Sequence, residues 1–270
     1  MISNLRRVAQ AVRHAPILRS LTPLWGALRV PYLRVLRKFG SSDGVAVKVG
    51  DVEMRLHPDF ATQNWETVEF AAYRAFAALL CPGDIVYDVG AHIGTYTLMA
   101  LKGIGAGGRV IAYEPFAFTR RYLAQHLEWN GNASRVMTRP VCCGAVPGQR
   151  TFYFAPDRAE GMNGLVPVEG FSEQMVEVTT LDREVMEIGL PPSVIKIDVE
   201  GAEWDVLRGA EAILRDHRPR LALSLHPAAL AKQGASAVDV LGWLEALGYD
   251  NEIVARDHEI HVISKFRQPT

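Results

Sequence analysis

Cysteine is scarce in this chain. Cys81, Cys142 and Cys143 are three in 270 residues, an odd number with two adjacent. They do not form a disulfide framework, and no C-x-x-C or other zinc spacing occurs, so the expected setting is a reducing cytoplasm. Long apolar runs are missing too: none approaches the ~20 residues that cross a bilayer, and no signal-peptide apolar core is seen. There is no internal repeat and no low-complexity tract. Acids are absent from residues 1–42, which carry eight Arg or Lys; Asp43 is the first acid. Against a net charge of −1, that leaves the remainder at −9. A body this acidic excludes a global charge bias toward nucleic acid, and no N-P-P-Y-like tetrad follows the fourth strand of the core.

The segment over 1–42 is unlike the rest. Leu5, Val8, Ala9 and Val12 recur at helical spacing with arginines between them, and Pro16, Pro23 and Pro31 cut the pattern into short helices. A basic amphipathic extension of this kind suits an anionic membrane surface or a lipid-linked substrate. A solvated extension packed on the domain or a partner subunit has the same composition. The expected organisation is this extension, 1–42, followed by one α/β domain over 43–270. The expected location is the cytoplasm, peripheral to the inner face of a membrane.

The domain is organised around residues 85–96. Ile85, Val86, Tyr87, Asp88 and Val89 read as a strand buried on both faces. Gly90 and Gly94 follow, four apart, and a helix continues from Thr97. A strand, a glycine turn and a helix make a crevice at the strand's carboxyl end, with helix N–H groups facing it. The dinucleotide fingerprint G-x-G-x-x-G is not what stands here. The spacing is D-x-G-x-x-x-G, with His92 where a middle glycine would be. An acid two residues before the first glycine suits a cationic, hydroxyl-rich ligand such as S-adenosylmethionine better than a pyrophosphate. The plain alternative is an ordinary strand-to-helix turn.

The chain around this stretch alternates strand and helix. Residues 45–57 read as a hairpin turning at Gly50-Asp51. Residues 62–80 read as a helix with Trp65, Val68, Tyr73, Phe76 and Leu80 on one stripe; Glu66 and Glu69 near its start are solvated first-turn acids, unless one points into the crevice. A second strand ends at Glu114-Pro115, 24 residues beyond Gly90, near the distance at which α/β nucleotide folds place an acid on ribose hydroxyls. A third strand over 135–141 delivers Cys142-Cys143-Gly144 to the same crevice, with a cysteine as packing residue near an adenine. Residues 151–154 and 175–179 read as paired strands around a polar loop over 158–170, a lid or substrate-binding segment. Thr180 or Asp182 caps the next helix.

The second informative stretch runs from Val194 to Trp204. An apolar strand carries Lys196 and ends at Asp198; one helix follows, with Glu203, Val206, Leu207, Ala210, Ile213 and Leu214 on its inner face. An unpaired buried lysine is costly, so Lys196 signals partners among Asp198, Glu200 and Glu203. Crowded acids around a lysine are a way to tune pKa values for chemistry. A fifth strand delivers His226 to the same edge, where histidine serves as a general base. Asp198, His226 and Lys196 are therefore the catalytic candidates. No metal site is assigned; a divalent ion on Asp198 with Glu200 or His226 is a less favoured arrangement.

With both stretches in hand, the chain resembles the FkbM family of S-adenosylmethionine-dependent methyltransferases. The matching text is Asp88-Val89-Gly90-Ala91-His92-Ile93-Gly94, Tyr113-Glu114-Pro115, Thr180-Leu181-Asp182, Lys196 to Glu203, and Leu207-Arg208-Gly209-Ala210. The resemblance covers about 45–265 and not the basic extension. It implies a class I methyltransferase (Rossmann-like) fold: a seven-stranded, mostly parallel sheet with helices on both faces and an antiparallel last strand. It implies methyl transfer from S-adenosylmethionine, usually to a hydroxyl of a sugar, glycolipid or polyketide-like product, so the partner is a small-molecule, glycan or lipid-linked acceptor. By position, Asp88, Gly90 and Gly94 line the methionine end of the cofactor site, and His92 and Asp198 are also cofactor-binding candidates. Glu114 and Pro115 lie at the ribose, and Glu66 and Cys143 border the cofactor. Asp198, with Glu200 and His226, faces the acceptor. A departure is the Cys142-Cys143-Gly144 segment, where related enzymes have an acid or amide near the adenine. The rival readings are a dinucleotide-dependent oxidoreductase or epimerase and a non-catalytic membrane-docking protein.

Overall fold

A computed structural model of the protein describes residues 43–60, 63, 65, 69–155 and 163–267. The basic segment over 1–42, Glu66 and residues 156–162 of the polar loop lie outside the described residues. The chain divides into two compact units, Met1–Val68 and Glu69–Thr270.

In the first unit, β1 (Val45–Val49) pairs antiparallel with β2 (Val52–Leu56). Val49 faces Val52, so Gly50-Asp51 is the two-residue loop of the expected hairpin. Trp65 is not helical. It lies in a turn and donates its indole N–H to the Phe60 carbonyl at 2.9 Å.

In the second unit, α1 (Phe70–Leu79) is shorter than the helix expected over 62–80. Glu69 stands before it with φ +47°, a left-handed conformation that a right-handed helix cannot run through. The chain continues through β3 (Ile85–Val89), α2 (Thr95–Gly103), β4 (Arg109–Tyr113), α3 (Ala117–Trp129) and β5 (Val136–Arg139). It then forms β6 (Cys142–Cys143), β7 (Gly148–Phe154), β8 (Ser172–Thr179), α4 (Leu181–Ile188) and β9 (Val194–Ile197). Last come α5 (Glu203–Arg208), α6 (Glu211–Asp216), β10 (Arg220–Leu225), α7 (Pro227–Lys232), α8 (Ala237–Ala246), β11 (Tyr249–Arg256) and β12 (Ile260–Phe266).

Seven strands make one sheet in the order β11-β12-β10-β9-β3-β4-β5. Strands β5, β4, β3, β9 and β10 are parallel; β12 runs antiparallel to both β10 and β11. Successive strand residues point to opposite faces, and Val86, Tyr87, Asp88 and Val89 are all buried, so both faces of the central strand are covered. From β3 the chain steps one way to β4 and β5. The later strands β9 and β10 extend the other way. The strand order thus reverses between β3 and β9, and their carboxyl ends are where an open α/β sheet leaves a crevice.

Three local expectations are corrected. The third strand stops at Arg139, because Pro140 has no N–H for the ladder. Cys142-Cys143 then leaves the main sheet and pairs with β8 in a separate three-stranded sheet, β6-β8-β7. The single helix expected after Asp198 is two, α5 and α6. Asp182 accepts the N–H groups of Ala212 and Ile213 at 3.1 and 2.9 Å and so starts a second helix there. Thr180 is therefore the residue that caps α4, accepting from Arg183 N at 3.2 Å.

Candidate functional site

The turn after β3 is held by backbone. Gly90 N and Ala91 N donate to the Tyr113 carbonyl at 3.1 and 3.0 Å, and Asp198 N donates to the Val89 carbonyl at 3.1 Å. Gly90 has φ +79°, and a Cβ there would run into the Asp198 carbonyl. Glycine is required at this point by the protein's own backbone, not only by a ligand. Gly94 has φ +92° as the residue before α2, and a Cβ there would meet Leu123 of α3.

Asp88 lies inside β3, fully buried, opposite Lys196 of β9 in the parallel ladder. Its Oδ2 accepts from Thr97 Oγ1 at 2.5 Å; its Oδ1 has no hydrogen-bond partner and lies 3.5 Å from Lys196 Nζ. Lys196 Nζ donates to the Gly90 carbonyl at 3.0 Å, lies 3.6 Å from Asp198 Oδ2 and stands 4.8 Å from the centre of the Tyr96 ring. Burial works against this ammonium, but Asp198, Asp88 and Glu69 outweigh it and raise its pKa. Lys196 is thus a fixed cation tying the glycine turn to the end of β9.

Glu114 follows β4 and is buried. Its Oε1 accepts from Phe116 N at 2.9 Å and Thr119 Oγ1 at 2.8 Å, and its Oε2 accepts from His92 N at 2.8 Å. Burial raises its pKa against these three donors. A carboxylate has about four lone-pair sites, so one on Oε2 is left for a further donor. His92 has φ +50°, and its Nε2 is buried without a partner; burial lowers its pKa to about 4, so the ring is neutral. Pro115 is half-buried at the same turn, its carbonyl accepting from Arg120 Nη1 at 2.8 Å. Cys143 packs in the main core with Tyr113 and Leu181, and Cys142 with Phe116 and Phe152. Burial raises both thiols, so neither is a nucleophile at neutral pH.

The carboxyl ends of β9 and β10 carry a cluster around His226, a buried residue directly after β10. Its Nδ1 lies 2.9 Å from Glu203 Oε1, and that same oxygen accepts from Gly201 N at 2.7 Å. Its Nε2 has no hydrogen-bond partner. It lies 3.3 Å from Glu200 Oε2, 3.5 Å from Glu259 Oε1 and 4.0 Å from Asp198 Oδ1. Burial opposes charge on the ring, but Glu203, Glu259 and Glu200 outweigh it and push its pKa up to about 11. Glu200 itself has φ +55°; burial, together with Asp198, Glu259 and Glu203 and against His226, pushes its pKa up to about 8.

One acid at this edge, Glu259, was not singled out from the sequence, and a second, Glu69, was named there only as one of two first-turn acids. Glu259 comes from the turn between β11 and β12, and its signal was the Asp257-His258-Glu259 run in a terminal hairpin. Glu69 accepts from Tyr96 Oη at 3.2 Å; burial first, then Asp198 and Glu259, push its pKa up to about 7. Of the two acids named near the start of the first helix, Glu69 is the one that shares the field of Asp198 and Lys196.

A sheet of this strand order, with a glycine turn at its reversal point and acids closing the adjacent strands, defines a Rossmann-like class I methyltransferase fold. Residues 88–250 match the sequence pattern described as "Methyltransferase FkbM domain", and the chain belongs to that family. Among solved structures it is similar to a methyltransferase FkbM from Methylobacillus flagellatus KT, at 17% identity and a TM-score of 0.49, covering 77% of this chain and 60% of that one. It is also similar to a ribosomal protein L11 methylase from Lactobacillus delbrueckii subsp. bulgaricus (13% identity, TM-score 0.48, 80% of this chain and 86% of that one). A third is an S-adenosylmethionine-dependent O-methyltransferase from Thermotoga maritima (13% identity, TM-score 0.43, 74% and 66%). No curated protein matches the chain. Among the described residues no helix is long and apolar enough to cross a membrane.

Proposed function

We propose that the protein transfers a methyl group from S-adenosylmethionine to a hydroxyl oxygen of a small-molecule, glycan or lipid-linked acceptor, such as a sugar, glycolipid or polyketide-like product. The observation that carries this reading is the incompletely satisfied polar set around the glycine turn: one acceptor site left on Glu114 Oε2, Asp88 Oδ1 without a hydrogen bond, and His92 Nε2 without a partner. These fit a ligand that has both hydroxyls and cationic centres. Glu114 would take a ribose hydroxyl, and the field of Asp88 at the turn made by Gly90, His92 and Gly94 would favour the cationic end. Pro115 borders the ribose side. Cys143, deep in the core, would act on the cofactor only through the packing beneath it.

Bound S-adenosylmethionine supplies an activated methyl group on a leaving sulfur. What remains for the protein is to align the acceptor and take its proton. The acceptor oxygen would bond to the methyl carbon as the carbon–sulfur bond breaks, with that bond's electron pair left on sulfur. Asp198 or Glu200, half-buried after β9, would accept the hydroxyl proton. His226, held as an imidazolium, neutralises them and orients the acceptor oxygen rather than serving as the base. Lys196 keeps Asp198 in place. The basic segment over 1–42 would attach the protein to an anionic membrane surface.

The test is transfer of labelled methyl from S-adenosylmethionine into fractionated extract of the source cells. Base-stable label in carbohydrate or lipid supports the reading, because methyl ethers survive base. Base-labile label marks a carboxyl acceptor, and label in RNA or protein contradicts the acceptor class.

A further inference from the structure

Asp198, Glu200, Glu203 and Glu259 converge on His226 at the end of β10. Glu259 also lies 2.9 Å from His258 Nε2 and 3.9 Å from His261 Nε2, and Asp198 lies 3.6 Å from Lys196 Nζ. Three of the buried polar atoms there have no hydrogen bond among the described residues: His226 Nε2, Glu259 Oε2 and Glu203 Oε2. His226 and Glu259 are 7% and 5% exposed, so bulk water does not satisfy them. Unpaired buried polar atoms are costly, and several within one cluster mark a missing occupant.

We propose that Asp198, His226 and Glu259 bind a divalent cation. One donor atom from each lies within 4.8 Å of the other two. In an octahedral shell with bonds of about 2.1 Å, neighbouring donors stand about 3.0 Å apart and opposite ones about 4.2 Å. The separations of His226 Nε2 from Glu259 Oε1 and Asp198 Oδ1, 3.5 and 4.0 Å, fall in that range. The support behind the ring has the expected form. A metal-binding histidine hands its other N–H to a carboxylate or carbonyl, and here Nδ1 meets Glu203 Oε1 at 2.9 Å. That contact leaves Nε2 as the nitrogen facing the carboxylates. Two carboxylates and one imidazole suit a borderline-hard ion of the Mn2+ type, with open positions for water or substrate. Glu200 stands beside the site as a fourth donor residue, 3.3 Å from Nε2.

The inference rests on the methyl-transfer reading only for what the cation would do: orient an acceptor hydroxyl and lower its pKa. The cation displaces the Nε2 proton of His226, so that the ring is an imidazolium only while the site is empty, and with Asp198 also on the cation the acceptor proton passes to Glu200. Binding itself is independent of that reading.

The experiment titrates full-length protein, freed of metal by chelation, with MnCl2, reading free Mn2+ by its paramagnetic resonance signal. Wild type is expected to bind one equivalent saturably, with Mg2+ competing more weakly. Glu259→Gln and Asp198→Asn are each expected to weaken binding at least about tenfold while still melting cooperatively. Absence of saturable binding by a folded wild type overturns the site. So does binding unchanged in both variants. Titration of the same samples with S-adenosylmethionine separates the two readings. Cofactor binding without Mn2+ binding refutes the metal site alone, and Mn2+ binding without cofactor binding refutes the methyl-transfer reading alone.

Discussion

Glu203 Oε1 lies 2.9 Å from His226 Nδ1 and 2.7 Å from Gly201 N, so one fully buried carboxylate fixes both the histidine ring and the turn after β9. Glu203→Gln keeps the volume and removes the charge. It is expected to weaken Mn2+ binding about 10–100-fold and to leave S-adenosylmethionine affinity within about twofold, both by titration. Equal loss of both would show that Glu203 acts only through folding.

Lys196 and Asp88 are opposite each other in adjacent strands, with side chains 4% and 0% exposed. Lys196→Met strands the Asp88 carboxylate in the sheet. Removing one partner of a buried pair costs about 3–5 kcal/mol, and denaturant unfolding at neutral pH is the check. Adding Asp88→Asn is expected to recover part of that loss. A single variant as stable as wild type would mean that the pair does not hold the strands.

Gly90→Ala places a methyl against the Asp198 carbonyl at φ +79°. The left-handed conformation alone costs of order 1–3 kcal/mol, and the clash adds to it by forcing β3 and β9 apart. A melting temperature lower by several degrees, with loss of cofactor binding, is expected. Gly83→Ala, at φ +88° but with no atom near its Cβ, is the comparison. It carries the strain without the clash and is expected to cost less.

Glu69 gives the pH prediction. Its pKa is raised from 4.5 to about 7, chiefly by burial. The folded state therefore holds a proton that the unfolded chain releases. The stability tied to that proton is full below pH 4.5, falls as pH rises from there to about 7, and is flat above. Glu69→Gln removes this slope. Denaturant midpoints at pH 5, 6 and 8 test it, and parallel pH dependence in wild type and variant would contradict the assignment.

The central sheet was legible because its strands are written in unusual residues. An apolar run ending in Asp88 and a glycine pair, and another ending in Asp198, admit few structures besides strand ends at a crevice. Lys196 was legible as a demand for partners, since a buried lysine must be paired; that Asp88 is a partner beside Asp198 needed the strand register. Glu259 was not legible. It arrives from a hairpin 61 residues after Asp198, and its place depends on β12 inserting beside β10. The split of α5 from α6 was hidden for a similar reason. Its cause is Asp182, 30 residues from the N–H group it caps at Ala212. Cys142-Cys143 misled because a strand that ends at proline and restarts in another sheet reads, in one dimension, as continuous.

The most direct test of the account is calorimetric titration of S-adenosylmethionine into wild-type protein beside Glu114→Gln, whose fold is checked by circular dichroism. The account predicts saturable one-to-one binding by wild type, weakened at least about tenfold in the variant, because a charge-assisted hydrogen bond to a ribose hydroxyl is worth about 1.5–3 kcal/mol. Tight binding of NAD with none of S-adenosylmethionine, or equal binding by both proteins, would contradict it.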